Sequence, residues 1–333
     1  MEYTRLGNTG LNVSRICFGC MWFGKPGNGG IDVRFGEDQA REVIRYAWDQ
    51  GINFFDTANY YSLGASEEVL GKVIGEMGVR DDAVIATKSY YPMYAGTNAK
   101  GVTRKTLFRE VDASLHRLGT DYIDLYIPHR LDHDTPMEEQ MEALNDLVRS
   151  GKVLYIGASA MYAWQFLKMN MIAEACGWAE FVSMQDMYNL VYREDEKEMH
   201  PMLLDQGIAC TPFSSLAHGV FAKKPEDERT DGVAKLQNEY VLNADAEIIR
   251  RVWELAERYG VSTSVIAQAW NLSKPVVTSP LIGASKTKYI DDAIAALMVL
   301  GYSRAEATTA LKGADLTGLS VDEIVRIALK KLF

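Results

Sequence analysis

Cysteine is scarce in this chain, with four among 333 residues. That is too few for a disulfide framework, so a reducing cytoplasm is the expected setting. Positive charge is also short: 35 Lys and Arg against 45 Asp and Glu give a formal net charge of −10. Such a field repels phosphate backbones and anionic headgroups, which argues against general nucleic-acid or membrane-surface partners. No apolar run is long enough to span a bilayer. The opening Met1-Glu2-Tyr3-Thr4-Arg5 lacks the apolar core of a secretory signal. No Gly-x-Gly-x-x-Gly joins a strand to a helix, because the cluster Gly27-Asn28-Gly29-Gly30 lies in a loop. What the chain does have is core-forming material: 47% hydrophobic residues with 24% charged can bury a large core.

Residues 3–6 and 11–13, joined through Asn8-Thr9-Gly10, read as a small β-hairpin. Strands are then expected at 15–20, 52–55, 83–87, 122–127, 153–157, 181–185, 208–211 and 279–283. Helices are expected at 37–50, 66–77, 103–118, 136–150, 163–175, 195–205, 244–259 and 262–271. Ser66 and Thr103 stand where N-caps belong, and Pro136 opens its helix. A Lys/Glu/Asp-rich excursion runs from 212 to about 243, and Pro280 weakens the last strand. Short, continuously apolar strands alternating with helices suit a parallel sheet covered by helices. Eight such units favour an α/β fold of the closed (β/α)8 type, the TIM barrel, over an open doubly wound sheet.

The tail, 290–333, breaks the alternation and reads as three short helices at 290–300, 304–313 and 321–332, with Ser303 and Ser320 as N-caps. The first carries Ile290, Ile294, Leu297, Met298, Val299 and Leu300 on more than one face. Such a helix is buried from several sides. The expected organisation is a barrel over 1–289 and a three-helix appendage over 290–333 that shares its first helix with the barrel.

Polar residues stand at several of the expected strand ends. Asp56 ends one strand and is followed by Tyr60 and Tyr61; Lys88, His129 and Gln185 end three others. Barrel geometry gathers such residues into one bowl. A lysine there needs the aspartate, because a lone buried ammonium is costly. A nearby tyrosine would have its phenol pKa lowered by the ammonium and serve as a proton donor, and a histidine opposite could hydrogen-bond a carbonyl. The bland alternative for each residue alone is a structural ion pair or a satisfied core histidine. Cys17-Phe18-Gly19-Cys20 has a redox or zinc spacing, but it lies inside a strand with no second pair, so core cysteines are the expectation and no metal is.

Gly51…Asp56-Thr57-Ala58…Tyr61…Ser66-Glu67…Leu70-Gly71 resembles the signature of the aldo-keto reductase superfamily. So do Thr87-Lys88, Asp124-Leu125-Tyr126…His129-Arg130, Gly151-Lys152-Val153…Ile156-Gly157 and Gln185…Tyr188-Asn189. The likeness runs from the hairpin to about 288 and is closest to the bacterial branch related to potassium-channel β-subunits. It implies a barrel that binds NADPH without a Rossmann fold and reduces an aldehyde or ketone. It also implies a catalytic tetrad of Asp56, Tyr61, Lys88 and His129, with Tyr61 as general acid and Tyr60 as pocket wall.

The same resemblance places Ser159 and Gln185 at the nicotinamide carboxamide and Phe213 against its ring. Ser214 and Leu216 fall on the pyrophosphate loop, Gly283, Ser285 and Lys286 on the loop that closes on the 2′-phosphate, and Asp292 on the adenine. Lysines in an otherwise acidic protein favour NADPH over NADH. The chain departs from the family's pattern at Ala160, where Asn or Arg is usual, at Ser215, where Pro is usual and its loss would loosen the loop, and at Ala293, where Asn is usual. Trp22, Tyr60, Tyr90, Tyr91 and Tyr94 are candidates for the pocket wall. Arg130 and His133 would meet an anionic substrate or pair with Asp132 and Asp134.

The tail, from 293 through Gly301-Tyr302-Ser303 to Lys330, resembles a ubiquitin-associated-like three-helix domain, most closely the C-terminal domain of the Holliday-junction branch-migration protein. That resemblance implies a protein-binding surface. The expected function is therefore carbonyl reduction by a cytoplasmic NADPH-dependent enzyme whose tail takes a protein partner. The rival is a non-catalytic NADPH-sensing barrel that acts through the tail's protein contacts.

Overall fold

Short apolar runs alternating with amphipathic segments form a strand–helix series in the computed structural model, which describes residues 1–25, 27–28, 35–222, 245–284 and 286–299. The strands are β1 (Tyr3–Arg5), β2 (Asn12–Ser14), β3 (Cys17–Gly19), β4 (Phe54–Asp56), β5 (Val84–Ser89), β6 (Ile123–Pro128), β7 (Val153–Ser159), β8 (Phe181–Gln185), β9 (Ala209–Cys210) and β10 (Leu281–Ile282). The helices are α1 (Glu37–Asp49), α2 (Ala65–Met77), α3 (Arg104–Leu118), α4 (Met137–Arg149), α5 (Ala163–Cys176), α6 (Met199–Gln206), α7 (Asp245–Tyr259), α8 (Thr263–Leu272) and α9 (Thr287–Val299).

Eight strands make one parallel sheet in the order β10-β3-β4-β5-β6-β7-β8-β9. Its two ends meet: the Thr278 N–H donates to the Cys210 carbonyl and the Leu281 N–H to the Pro212 carbonyl, both at 2.8 Å. The result is the expected (β/α)8 barrel. Inside it lie Cys17, Phe54, Val84, Ala86, Leu125, Ile127 and Ala209; Phe55, Ile85, Tyr126 and Ile156 point outward to the helices. The antiparallel hairpin β1–β2 sends Leu6 and Val13 into the interior cluster and so plugs the N-terminal end of the bore. Gly7 permits this at φ +57°, because a Cβ there would lie 2.8 Å from the Ala209 backbone nitrogen.

Thr103 caps α3 as expected, its side chain accepting from the Thr106 N–H. Ser66 does not cap α2. That helix starts at Ala65 from Gly64, and the Ser66 hydroxyl is buried, 2.8 Å from both the Cys20 carbonyl and Thr57 Oγ1. The continuous helix expected at 195–205 is also broken, into a 3-10 turn at Glu194–Glu196 and α6. Pro201 explains the break: it cannot donate and clashes inside a helix, but it is tolerated in a first turn.

Helix α9 buries Ile290, Ala293, Ala296 and Leu297 and packs on α8 and α1, as the barrel's last helix should. The rest of the expected appendage, 300–333, lies outside the described residues, as do 223–244 of the charged excursion.

Candidate active site

Side-chain alternation decides which residues reach the bore. Phe54, Val84 and Ala86, Leu125 and Ile127 face inward, so Asp56, Lys88 and His129 continue the inward rows of β4, β5 and β6. The strands are staggered: Asp56 pairs in register with Ala86, and Lys88 with Ile127. Each polar residue therefore stands two positions beyond the partner of the one before it, the stagger that closing a tilted barrel requires. The lysine's long chain spans the step back to the aspartate.

Lys88 has no exposed surface and Asp56 is 2% exposed. The Lys88 ammonium donates to Asp56 Oδ1 at 2.5 Å, to the Thr57 carbonyl at 2.7 Å and toward the Tyr61 hydroxyl at 3.5 Å. Asp56 Oδ2 accepts from Gln185 Nε2 at 2.9 Å. The Tyr61 ring lies edge-on to His129, centroids 5.8 Å apart, and Tyr91 flanks His129 on another side at 5.2 Å. The three residues after Tyr61 all have positive φ: Ser62 (51°), Leu63 (47°) and Gly64 (94°). Left-handed backbone at two non-glycine residues costs energy and is held only where the surroundings over-determine it. Here the turn aims Tyr61 back into the bore.

Burial dominates the protonation states. It alone would push the Lys88 ammonium's pKa down, but Asp56 and Tyr61 reverse that and the balance is upward. Tyr61 is raised as well: burial outweighs the downward pull of Lys88. The expected lowering of the phenol pKa is thus corrected, because the low-dielectric site that makes Lys88 influential also penalises a phenolate. Burial, aided by Lys88 and Arg130, pushes His129 well below the usual imidazole range. At neutral pH the arrangement is a protonated lysine, a protonated tyrosine and a neutral histidine. His129 Nδ1 is buried with no hydrogen-bond partner among the described residues. An orphan polar atom at a barrel mouth is what a polar ligand would satisfy.

The residues expected along a cofactor fall into two groups. Ser159 ends β7 in register with Gln185 at the end of β8, and the Ser159 hydroxyl donates to the Gln185 carbonyl at 2.9 Å. Ser159 is thus oriented to accept, and Gln185 keeps one amide N–H and its side-chain carbonyl beyond the contact with Asp56. Phe213 is half-buried beyond β9, tied by its N–H to the Asp186 carbonyl. Ser214 has φ 56°, and its carbonyl accepts from Asn189. The replacement of proline by Ser215 does not cut that loop free: its buried hydroxyl donates to the Leu281 carbonyl at 3.2 Å. Leu216 is half-buried.

At the far end, Gly283 and Lys286 are exposed, and Ser285 lies outside the described residues. Asp292 already accepts from the Ser262 hydroxyl at 2.9 Å, so it is engaged with the N-cap of α8. Of the residues expected on the nicotinamide side, Gln185 reaches Asp56 directly and Ser159 reaches Gln185. Backbone at φ 50° at Ala160, with Ser214, Ala217 and His218 also left-handed, puts strained positions on the loops after β7 and β9, where ligand loops store strain.

Other expectations sort cleanly. Tyr91 packs edge-on against His129 and has the Tyr60 and Tyr90 rings against it in turn, while Tyr94 is paired with Arg109 and half exposed. Arg130 pairs with neither Asp132 nor Asp134; it donates to the Tyr91 hydroxyl at 2.6 Å. Asp132 instead clamps its loop through Val102 N–H, Asp134 N–H and Thr135 Oγ1. Cys17 and Cys20 are buried free thiols, with pKa values pushed well up by burial. Two contacts had no sequence signal: the Thr57 backbone carbonyl on Lys88, and Glu67, which reaches across from α2 to take Thr87 Oγ1 at 2.5 Å and Arg117 at 2.6 Å.

The arrangement can hand a proton from a buried phenol to an oxygen placed beside His129. Comparison with known proteins supports carbonyl reduction in general. Residues 15–310 match the sequence model of the aldo/keto reductase family, and residues 289–332 match that of the RuvA C-terminal domain. The versiconal hemiacetal acetate reductase of Aspergillus parasiticus is 41% identical over 323 residues, covering 90% of this chain and 93% of that protein. An aldo-keto reductase of Alternaria alternata is 39% identical over 325 residues, covering 89% of this chain and 87% of that one.

Proposed function

The chain belongs to the aldo/keto reductase family, and we propose that it reduces an aldehyde or ketone to the alcohol with NADPH, Tyr61 giving the proton. The observation that carries this reading is the fully buried Lys88 ammonium, fixed by Asp56 and Thr57 and aimed at the Tyr61 hydroxyl. Bound NADPH supplies the hydride. Tyr61 hydrogen-bonds the substrate oxygen and gives up its proton as negative charge grows there. Lys88 meets the charge left on the phenol oxygen, so its attraction is strongest late in the transfer. Neutral His129 orients the substrate oxygen, and the Tyr60, Tyr90 and Tyr91 rings exclude water around it.

Gln185 and Ser159 would hold the carboxamide of the cofactor and Phe213 its ring, since stacking needs only an aromatic face. Ser214 and Leu216 would line the pyrophosphate, Gly283, Ser285 and Lys286 the 2′-phosphate, and Asp292 the adenine. We place the enzyme in the cytoplasm; no helix among the described residues is long and apolar enough to cross a membrane. The two family matches overlap over residues 289–310, which supports a helical appendage that begins on the barrel's last helix. That appendage is proposed to bind a protein partner.

The test is Tyr61→Phe with NADPH and 4-nitrobenzaldehyde. Turnover is expected to fall by about 10²- to 10⁴-fold, the usual worth of a positioned acid, while NADPH still quenches tryptophan fluorescence. Unchanged turnover would overturn the mechanism. Quenching without turnover in the wild-type protein would favour a cofactor-sensing barrel.

A further inference from the structure

Three side chains of kinds that can ligate a metal meet in a buried cluster that the carbonyl chemistry does not use. Asp186 directly follows β8, His200 lies in the first turn of α6, and Cys210 ends β9. Their relative exposures are 2%, 4% and 0%. Asp186 Oδ2 is 2.6 Å from His200 Nε2, and Asp186 Oδ1 accepts from Cys210 Sγ at 3.3 Å. All three donor atoms lie within 4.8 Å of one another. The Asp195 carboxyl stands near the Asp186 carboxylate, outside the trio whose donor atoms all fall within 4.8 Å of one another.

We propose that Asp186, His200 and Cys210 form a structural Zn²⁺ site, with Asp195 in the fourth position. A thiolate, an imidazole and carboxylates are a set that zinc takes tetrahedrally, and magnesium or calcium avoids the sulfur and nitrogen. At zinc distances, tetrahedral angles put the oxygen and sulfur ligands about 3.5 Å apart and the oxygen and nitrogen ligands about 3.3 Å apart. The Asp186–Cys210 separation is already close to that. The Asp186–His200 contact has only to open by about 0.7 Å, within a carboxylate rotation. On binding, the Cys210 thiol proton leaves to solvent and sulfur coordinates as thiolate.

The three ligands come from β8, α6 and β9, so one ion would join a strand–helix–strand unit at three points. Asp186 is adjacent to Gln185, and its carbonyl accepts from the Phe213 N–H. Zinc there would therefore stiffen the wall on which both residues stand. Sequence alone hides the site, because its ligands are 14 and 10 residues apart and none follows a metal spacing.

The full-length protein would be stripped with chelator, loaded with ZnCl₂ or CoCl₂, and dialysed. Wild type is expected to keep about one Zn²⁺ per chain, His200→Asn and Cys210→Val at least tenfold less. The Co²⁺-loaded wild type is expected to show a near-ultraviolet thiolate-to-cobalt band that Cys210→Val lacks. Cys210→Val replaces the thiol by an apolar β-branched side chain that suits a strand, and its fold is checked by circular dichroism. His133→Asn controls for binding at other histidines and should retain zinc. If the wild type keeps no zinc through dialysis, or shows no cobalt–thiolate band, the trio is only a hydrogen-bonded cluster and the proposal fails. Both wild-type measurements decide this even if a variant does not fold.

Discussion

Replacing Asp56 by Asn removes an anion while keeping its shape, and the consequence can be followed through pH. Burial is the largest influence on Lys88 and acts downward; Asp56 leads the influences that reverse it. In the wild type the folded pKa of Lys88 lies above its ordinary value of 10.5. Its contribution is then fully present at neutral pH and is lost only as pH rises through the folded value. In Asp56→Asn the downward pull wins, and unpaired buried lysines titrate as low as about 5–6. The folded variant then sheds a proton that the unfolded chain keeps, so its stability rises with pH between those two values.

The size follows from the gap between the pH and the unfolded lysine pKa. At about pH 7.5 that gap is roughly 3 units, or about 4 kcal/mol, inside the 3–5 kcal/mol range for breaking a buried pair. The deficit should be about 5 kcal/mol near pH 6.5 and under about 3 near pH 8.5, a slope of about 1.4 kcal/mol per unit. Asn adds a pH-independent part. Its one carbonyl can accept from Lys88 or from Gln185 Nε2, whereas Asp56 serves both, and the unmet amide costs about 1–3 kcal/mol. Urea denaturation of both proteins at the three pH values is the assay. A deficit that does not change with pH would refute the claim that Lys88 keeps its charge through Asp56.

Four further outcomes are expected. With Tyr61 raised and His129 depressed by burial, carbonyl reduction should show no inflection near pH 6.5 and should fall only above pH 10, as the phenol loses its proton; a limb between those values would sink the assignment. Ala160→Asn, at φ 50°, should gain roughly 0.5–1 kcal/mol in thermal denaturation, because asparagine tolerates left-handed backbone better than alanine. Gly71→Ala would place a Cβ 2.2 Å from the Leu118 carbonyl oxygen and should cost about 1–3 kcal/mol by forcing α2 off α3. Lys286→Ala should raise the KM for NADPH by about tenfold and leave that for NADH nearly unchanged, since one charge-assisted contact to the 2′-phosphate is lost; equal effects on both would remove Lys286 from that site.

The order of strands and helices was legible because most strands are short and apolar and regularly alternate with longer amphipathic segments. Thr103 marks a boundary by local chemistry, which a sequence displays. Ser66 was misread because a serine before an acidic pair fits an N-cap, yet its hydroxyl is claimed by Cys20 and Thr57 from across the fold. Asp56, Lys88 and His129 were legible as strand-end polar residues. The phenol pKa was not, because its sign depends on how much water the folded bore excludes. Asp132 shows the same limit: it looked like a partner for Arg130, but three loop donors hold it instead. Contacts that depend on a backbone carbonyl or on residues distant in the chain leave no local trace.

Asp56 explains why the barrel and the candidate chemistry are one problem. Strands β4 and β8 are not neighbours in the sheet, so the hydrogen bond from Gln185 to Asp56 crosses the bore and exists only because the sheet closes. The other carboxylate oxygen holds Lys88. A single side chain thus ties the expected cofactor wall to the expected proton donor. Beneath it, Phe54, Val84, Leu125 and Ile127, sealed by Leu6 and Val13 of the hairpin, keep water from the pair. That dryness raises the Tyr61 phenol and the cost of its anion together. An ammonium 3.5 Å away is then worth far more than it would be in water. Loosening the hairpin plug should therefore weaken the site electrostatically before it disturbs any catalytic atom's position.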